Sequence, residues 1–257
     1  MRPTKLLIFV HLLVALSLSG ADLAVKDKLL FDDDGSVPRG GKKPSQINEA
    51  AKVRAWAGKW EKRDGAWRST WEKGMGHTPV MAYDVSARDL VVEVTFRYGP
   101  LLREGQHQCF RITLDNRDLY TGHVLSAWAN PNNDFIETGF LLQHIHKRTD
   151  KSIVSDILLD RQELKIEPGI WVTAWLEVVG DEALFQMGDH VAYARHKKLD
   201  VEKLKVALTL GTTWHEVKRV RVWSAKRNPD WGASRSEALS RRKSFKPKPH
   251  NHHRSKK

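Results

Sequence analysis

A single cysteine, Cys109, stands in a chain of 257 residues. No intrachain disulfide can form, so stability has to come from a buried core. No apolar run reaches the roughly 20 residues that span a bilayer; the run from Leu6 to Leu18 is too short. A general surplus of positive charge is also missing, although the formal charge is +12. Lys226 to Lys257 hold eleven Lys and Arg against Asp230 and Glu237, a net of +9, and Arg2 and Lys5 supply two more. That leaves about +1 for residues 22–225. A near-neutral body with a cationic end argues against sequence-specific nucleic-acid recognition, because the charge is a tail rather than a folded face.

The start of the chain has the opposite character. Met1 to Lys5 is charged, Leu6 to Leu18 is apolar, and Ser19-Gly20-Ala21 is a run of small residues. This is the pattern of an export signal over residues 1–21, with cleavage near Ala21 and a periplasmic or extracellular mature chain. Ala21 stands where a lipoprotein signal would place cysteine, so no lipid anchor is expected.

Between the leader and the basic end, hydrophobic residues recur with period 2. Val172, Ala174, Leu176 and Val178 alternate until Gly180-Asp181; Ala183, Phe185 and Met187 alternate until Gly188-Asp189. That pattern predicts a three-strand meander with tight turns. Leu90, Val92, Val94, Phe96 and Tyr98 form a further strand, as do Phe110, Ile112 and Leu114, then Leu204 to Leu210, and Val220 with Val222. Asp64-Gly65 separates two short runs carrying Trp60, Trp67 and Trp71, a hairpin whose indoles cover one end of a core more readily than they stack on sugars. Leu29 to Phe31 reads as an edge strand. Ser45 to Trp56 is ambiguous, since Ser45 could cap a short helix. Cys109, in a strand-like run, reads as a packing residue. The fold class is therefore all-β, a two-sheet antiparallel jelly-roll sandwich over residues 22–225, followed by a basic tail, 226–257, that is disordered or weakly helical.

Three segments, GKWEKRDGAWRS at 58–69, PGIWVTAWLEVVGDEALFQMGDHVAYARH at 168–196 and VKRVRVWSA at 217–225, resemble the concanavalin A-like superfamily, and within it the secreted 3-keto-disaccharide hydrolase-like domains. The resemblance implies the sandwich fold and a glycan-related function. Members of that group carry an Asn-Ser-Gly turn followed by an arginine, and a Glu-x-Gln pair on a later strand. Here HQCFRITL and GFLLQHIH stand in those places, and only Arg111 and Gln143 match. No catalytic residue is carried over.

Residues 120–148 combine alternation with polar and aromatic groups, as a binding sheet face does. Arg111, Tyr120, Trp128, Gln143, His144 and His146 are the candidate glycan-binding residues, on a concave sheet. His144 and His146 share one side of an extended strand, where two imidazoles could ligate a divalent metal or act as a base in a lyase-like or 3-keto-glycoside elimination. Two histidines are not a metal site, which needs three or more ligands, so no cofactor is assigned. The paired carboxylates of a retaining glycosidase, about 5 Å apart, require a spacing that this chain lacks. Asp134 with Glu137, and Asp156 with Asp160 beside a turn, read as solvated acids. The basic tail suits a sulfated polymer or anionic envelope, and its His250, His252 and His253 could scavenge metal. Three readings follow: a glycan binder, a carbohydrate-active enzyme, and a structural module without a small ligand.

Overall fold

A computed structural model of the chain describes residues 22–35, 47–48, 53–116, 122–132, 138–147 and 154–245. In chain order the strands are β1 (Ala24–Asp33), β2 (Ile47–Asn48), β3 (Val53–Trp56), β4 (Lys59–Arg63), β5 (Ala66–Thr70), β6 (Val80–Ala87), β7 (Leu90–Tyr98) and β8 (Phe110–Asp115). They continue as β9 (His123–Asn130), β10 (Gly139–Lys147), β11 (Val154–Gln162), β12 (Val172–Val179), β13 (Glu182–Met187), β14 (His190–Arg195), β15 (Lys203–Leu210) and β16 (His215–Arg227). One helix, α1 (Trp231–Ser240), follows.

All pairings among them are antiparallel. The first sheet runs β14-β13-β12-β7-β16-β5-β4, with β1 added along β16; the second runs β11-β10-β9-β8-β15-β6-β3-β2. Sequence neighbours often sit apart, β7 between β12 and β16 for instance, as a jelly roll requires.

The period-2 runs decide which faces meet. Leu90, Val92, Val94, Phe96 and Tyr98 of β7 are fully buried, as are Phe110, Ile112 and Leu114 of β8. Together with Ala174, Leu176 and Val178 of β12 and Val206, Leu208 and Leu210 of β15, they fill the space between the sheets. Two aromatic pairs bridge the layers: Phe96 stacks on Phe110 with centroids 3.7 Å apart, and Phe140 on Phe185 at 4.2 Å. The Tyr98 hydroxyl donates across the same gap to the Ala129 carbonyl at 3.1 Å, which satisfies a polar atom in the core. The meander turns use Gly180 and Gly188 at φ +57° and +58°, where a side chain would be strained. Trp67 is buried at the hairpin, and Trp60 packs against the core cluster.

Three expectations change. Residues 47–48 and 53–56 form strands β2 and β3, so the ambiguous helix from Ser45 is not formed there; Val53 and Trp56 extend the second sheet against β6. Asp156 and Asp160 lie within β11 rather than flanking a turn, and Asp160 is a clamp that accepts from the Tyr193 backbone N–H at 2.8 Å and pairs with Arg242 at 2.6 Å. Third, the basic end, expected to be disordered or weakly helical, holds a helix that packs on the sandwich and is described through residue 245. β16 runs on to Arg227, and α1 seats Trp231 and Ala238 on Leu23, Val91, Val179, Leu184 and Val191, the outward side of the first sheet. Arg241 then pairs with Asp22, Lys243 with Asp189, and Arg161 stacks 3.5 Å over Phe245. Buried apolar area at two helix positions, reinforced by ion pairs, outweighs the low hydrophobicity that suggested disorder. Residues 1–21 and 246–257, including the leader and His250, His252 and His253, lie outside the described residues.

Candidate functional site

The inward face of the second sheet is apolar; its outward face is not. Strand register sets side chains there in rows. One row runs Val80, Thr209, Arg111, Trp128, Leu141 and Arg161 across β6, β15, β8, β9, β10 and β11. The next runs Ala82, Ala207, Thr113, Ser126 and Gln143. A third brings Lys205 of β15 opposite Asp115 of β8. Two small apolar clusters bracket the polar groups: Val80 with Ala82 and Ala207, and Cys109 with Trp128 and Leu141.

Arg111 is the most prominent group of this face. Its guanidinium lies 4.3 Å from the Trp128 ring centroid and donates to Thr209 Oγ1 at 3.1 Å. The cation–π contact and that hydrogen bond fix a planar donor on the sheet. Beside it, Thr113 Oγ1, Ser126 Oγ and Trp128 Nε1 are buried with no hydrogen-bond partner. Such atoms are rare, because an unpaired buried polar group costs about 1–3 kcal/mol. At the far end, Asp115 accepts from or pairs with His123 Nδ1 at 2.6 Å and pairs with Lys205 Nζ at 2.5 Å. Burial alone would raise the Asp115 pKa, but the His123 hydrogen bond and the Lys205 ion pair outweigh it and hold the carboxyl below its usual range.

Three of the six sequence candidates thus share one face: Arg111, Trp128 and Gln143. His144 does not join them. It follows Gln143 in an extended strand and so points to the other side, into the interior, where it is fully buried with Nδ1 2.8 Å from the Val124 carbonyl. Its ring neighbour is His196, centroids 5.6 Å apart, whose pKa is lowered by burial and by Lys198 and Lys197. An imidazole enclosed there is not placed to take a proton from a sugar on the outward face. His146 lies in β10, but its side chain, like all of Tyr120, Asp134 and Glu137, lies outside the described residues. Among the described residues no group of three His, Cys, Asp or Glu could hold a metal. Cys109 is buried and its thiol pKa is pushed up to about 12 by burial, as befits a packing residue.

Thr113, Ser126, Thr209 and the Asp115–His123–Lys205 set were not singled out from sequence. The signal was parity: once Arg111 faces outward, Thr113 and Asp115 must as well.

The architecture is a two-sheet antiparallel jelly-roll sandwich. No protein-family model matches the chain, and no curated protein matches it. Among solved structures, the CBM2 module of the Lactobacillus casei BL23 phage J-1 evolved Dit aligns with TM-score 0.52 and 12% identity, covering 80% of this chain and 98% of that one. The carbohydrate binding module CBM66 from Bacillus subtilis aligns at TM-score 0.49 and 11% identity over 67% of this chain and 96% of its own. LamA from Z. galactanivorans, solved with laminaritriose and laminaritetraose, gives 0.49 and 9% over 78% and 100%. At such identities the likeness concerns the fold. No helix among the described residues is long and apolar enough to cross a membrane.

Proposed function

We propose that the protein is an exported carbohydrate-binding sandwich that holds a glycan on the outward face of its second sheet, around Arg111, Trp128 and Gln143. The observation that carries this reading is the Arg111–Trp128 stack beside Thr113 Oγ1, Ser126 Oγ and Trp128 Nε1, buried polar atoms without partners. Sugar hydroxyls both donate and accept, and satisfy these hydroxyl and indole groups once the side chains that close them from solvent move aside. A pre-oriented guanidinium and the Gln143 amide add planar donors suited to vicinal hydroxyls or a uronate. Sharing its fold with a phage module called CBM2 is in keeping with that class of ligand. The leader-like residues 1–21 support export, and the Lys and Arg of 246–257 would add non-specific attraction to anionic polymers.

A glycan array of neutral and acidic oligosaccharides, followed by calorimetric titration of the best ligand, tests the reading. Arg111→Ala is expected to weaken binding roughly tenfold to a hundredfold, the worth of a charge-assisted hydrogen bond, and Gln143→Ala by about tenfold. Absence of any glycan ligand, or full affinity in both variants, would overturn it. The 3-keto-disaccharide hydrolase-like alternative predicts product release from oxidised disaccharides, which a binder does not give.

A further inference from the structure

Among the described residues four glutamates are buried: Glu93, Glu177, Glu182 and Glu216. Three meet an arginine, Glu93 with Arg221, Glu182 with Arg227, and Glu216 with both Arg68 and Arg97. Glu177 of β12 has no Lys or Arg in an ion pair among the described residues, although it is fully buried. Its partners are backbone N–H groups at the start of the described chain. Asp22 N–H donates to Oε1 at 3.2 Å and Ala24 N–H to Oε2 at 2.8 Å, with Leu23 N–H also directed at the carboxyl.

Asp22 is fastened there independently. Its carbonyl accepts from Asn228 Nδ2 at 2.9 Å, and its carboxylate takes Gln186 Nε2 at 2.7 Å and Arg241 at 3.2 Å. Leu23 is fully buried, and its carbonyl accepts from Asn228 N–H at 3.0 Å. The residue preceding Asp22 is Ala21, the end of the small-residue run that closes the leader. A peptide nitrogen that carries no charge therefore lies against a buried carboxyl at the very bond where export processing is expected.

We propose that hydrolysis of the Ala21–Asp22 bond by a signal-peptidase-type endopeptidase creates an α-ammonium on Asp22 that forms an ion pair with Glu177, so that loss of the leader locks the mature sandwich. The proposal rests on the export reading, not on glycan binding. Water supplies a hydroxyl to the Ala21 carbonyl carbon and a proton to the Asp22 nitrogen, and a further proton from solvent makes the amine an ammonium below its pKa of about 8. Lys26 already acts on Glu177 through its charge, without an ion-pair contact; the α-ammonium gives the fourth buried glutamate a cation in direct contact, as the other three have, and that contact arises only after cleavage.

With an amide in that place, burial pushes the Glu177 pKa up to about 8; the backbone N–H groups of Ala24, Asp22 and Leu23 work against that rise, the Asp22 carboxylate adds to it, and the Lys26 ammonium also acts on the carboxyl. The folded carboxyl is then harder to ionise than the unfolded one. Its contribution to stability is complete below the unfolded value of 4.5 and is lost as pH rises toward 8. An ammonium 3.2 Å away favours the ionised form and removes that loss.

Two experiments decide it. The intact mass of protein recovered after export is expected to begin at Asp22. Residues 22–257 with a free α-amine are then compared with the same chain Nα-acetylated, by denaturant unfolding from pH 5 to pH 8. The acetylated form is expected to unfold more readily as pH rises, its unfolding constant growing by up to roughly tenfold per pH unit, the limit for one proton. The free-amine form is expected to stay nearly flat, and Glu177→Gln to make the two forms alike. Equal stability of free and acetylated wild-type chains at every pH would overturn the ion pair even with a mass beginning at Asp22. A recovered chain that keeps residues 1–21, or begins elsewhere, would overturn the export reading or the assigned bond. Neither result bears on the glycan face.

Discussion

On the outward face of the first sheet the charged groups pair with one another, although Glu93 Oε2 is buried there without a hydrogen bond; on that of the second sheet three neutral polar atoms, Thr113 Oγ1, Ser126 Oγ and Trp128 Nε1, are buried without one. Glu216, almost fully buried, takes Arg68 at 2.7 Å and Arg97 at 2.5 Å, and these arginines lie over Trp214 at 4.3 Å and Trp171 at 4.6 Å. Lys26 sits 4.2 Å from both the Trp175 and the Trp223 ring centroids and 3.9 Å from Glu93. Thr95 and Thr173 share a hydrogen bond of 3.0 Å. The second face has Arg111 on Trp128, yet Thr113, Ser126 and the Trp128 indole keep unpaired atoms. A buried polar network is worth most when every member is satisfied. One face is thus built for stability, partly under α1, and the other carries the kind of deficit that a polar ligand relieves.

The largest effect that separates the faces is expected at Glu216. Glu216→Ala leaves Arg68 and Arg97 facing each other without their shared anion, and should cost about 3–5 kcal/mol by thermal or urea unfolding. Once the fraction folded is accounted for, glycan affinity should be unchanged, since Glu216 and Arg111 lie on different sheets. A loss of affinity in the folded variant would break the division between the two faces.

His215, the residue before Glu216, points the other way, into the core, where its ring meets Tyr98 edge-on with centroids 5.2 Å apart. Burial lowers its pKa to about 4. The folded value lies below the unfolded one of 6.5, so the unfolded chain binds the proton first, and stability present above pH 6.5 is lost as pH falls toward 4. The loss amounts to about 3 kcal/mol by pH 4. His215→Gln should remove that component of acid sensitivity from urea unfolding measured at pH 7, 5.5 and 4. An unaltered slope would mean that the acid sensitivity arises from other groups.

How much of this was legible follows from what period 2 encodes. The inward residues of β7, β8 and β12 were readable one by one, because a face that must exclude water leaves only apolar residues at alternate positions. The ordered end was not readable: Trp231 and Ala238 give two buried contacts in a segment otherwise dominated by Lys, Arg and Ser, and what they dock on comes from strands remote in sequence. The site was half legible. Arg111, Trp128 and Gln143 share a face as alternation allows, but grouping Gln143 with His144 put adjacent residues of one strand on the same side. Gln143 and His144 are alike in polarity but opposite in parity, and in a strand parity decides the face. Glu177 was invisible because its partner is a backbone nitrogen.

The smallest effect is the most discriminating, because its sign differs between the faces. Thr113→Val replaces a buried hydroxyl without a partner by a methyl group of similar shape, which without ligand should leave stability unchanged or raise it by up to about 1 kcal/mol. Thr95→Val on the opposite sheet breaks the bond to Thr173 and strands its hydroxyl, which should lower stability by about 1 kcal/mol. With the glycan ligand present the order changes: Thr113→Val should bind it several-fold more weakly, and Thr95→Val as tightly as the wild type. The four measurements are unfolding midpoints and titrations on the two variants. If Thr113→Val destabilises the free protein as Thr95→Val does, the hydroxyl has a partner within the chain, and the contrast from which the glycan face is argued disappears. If it stabilises the free protein while weakening the complex, Thr113 is held for a ligand at the expense of the fold.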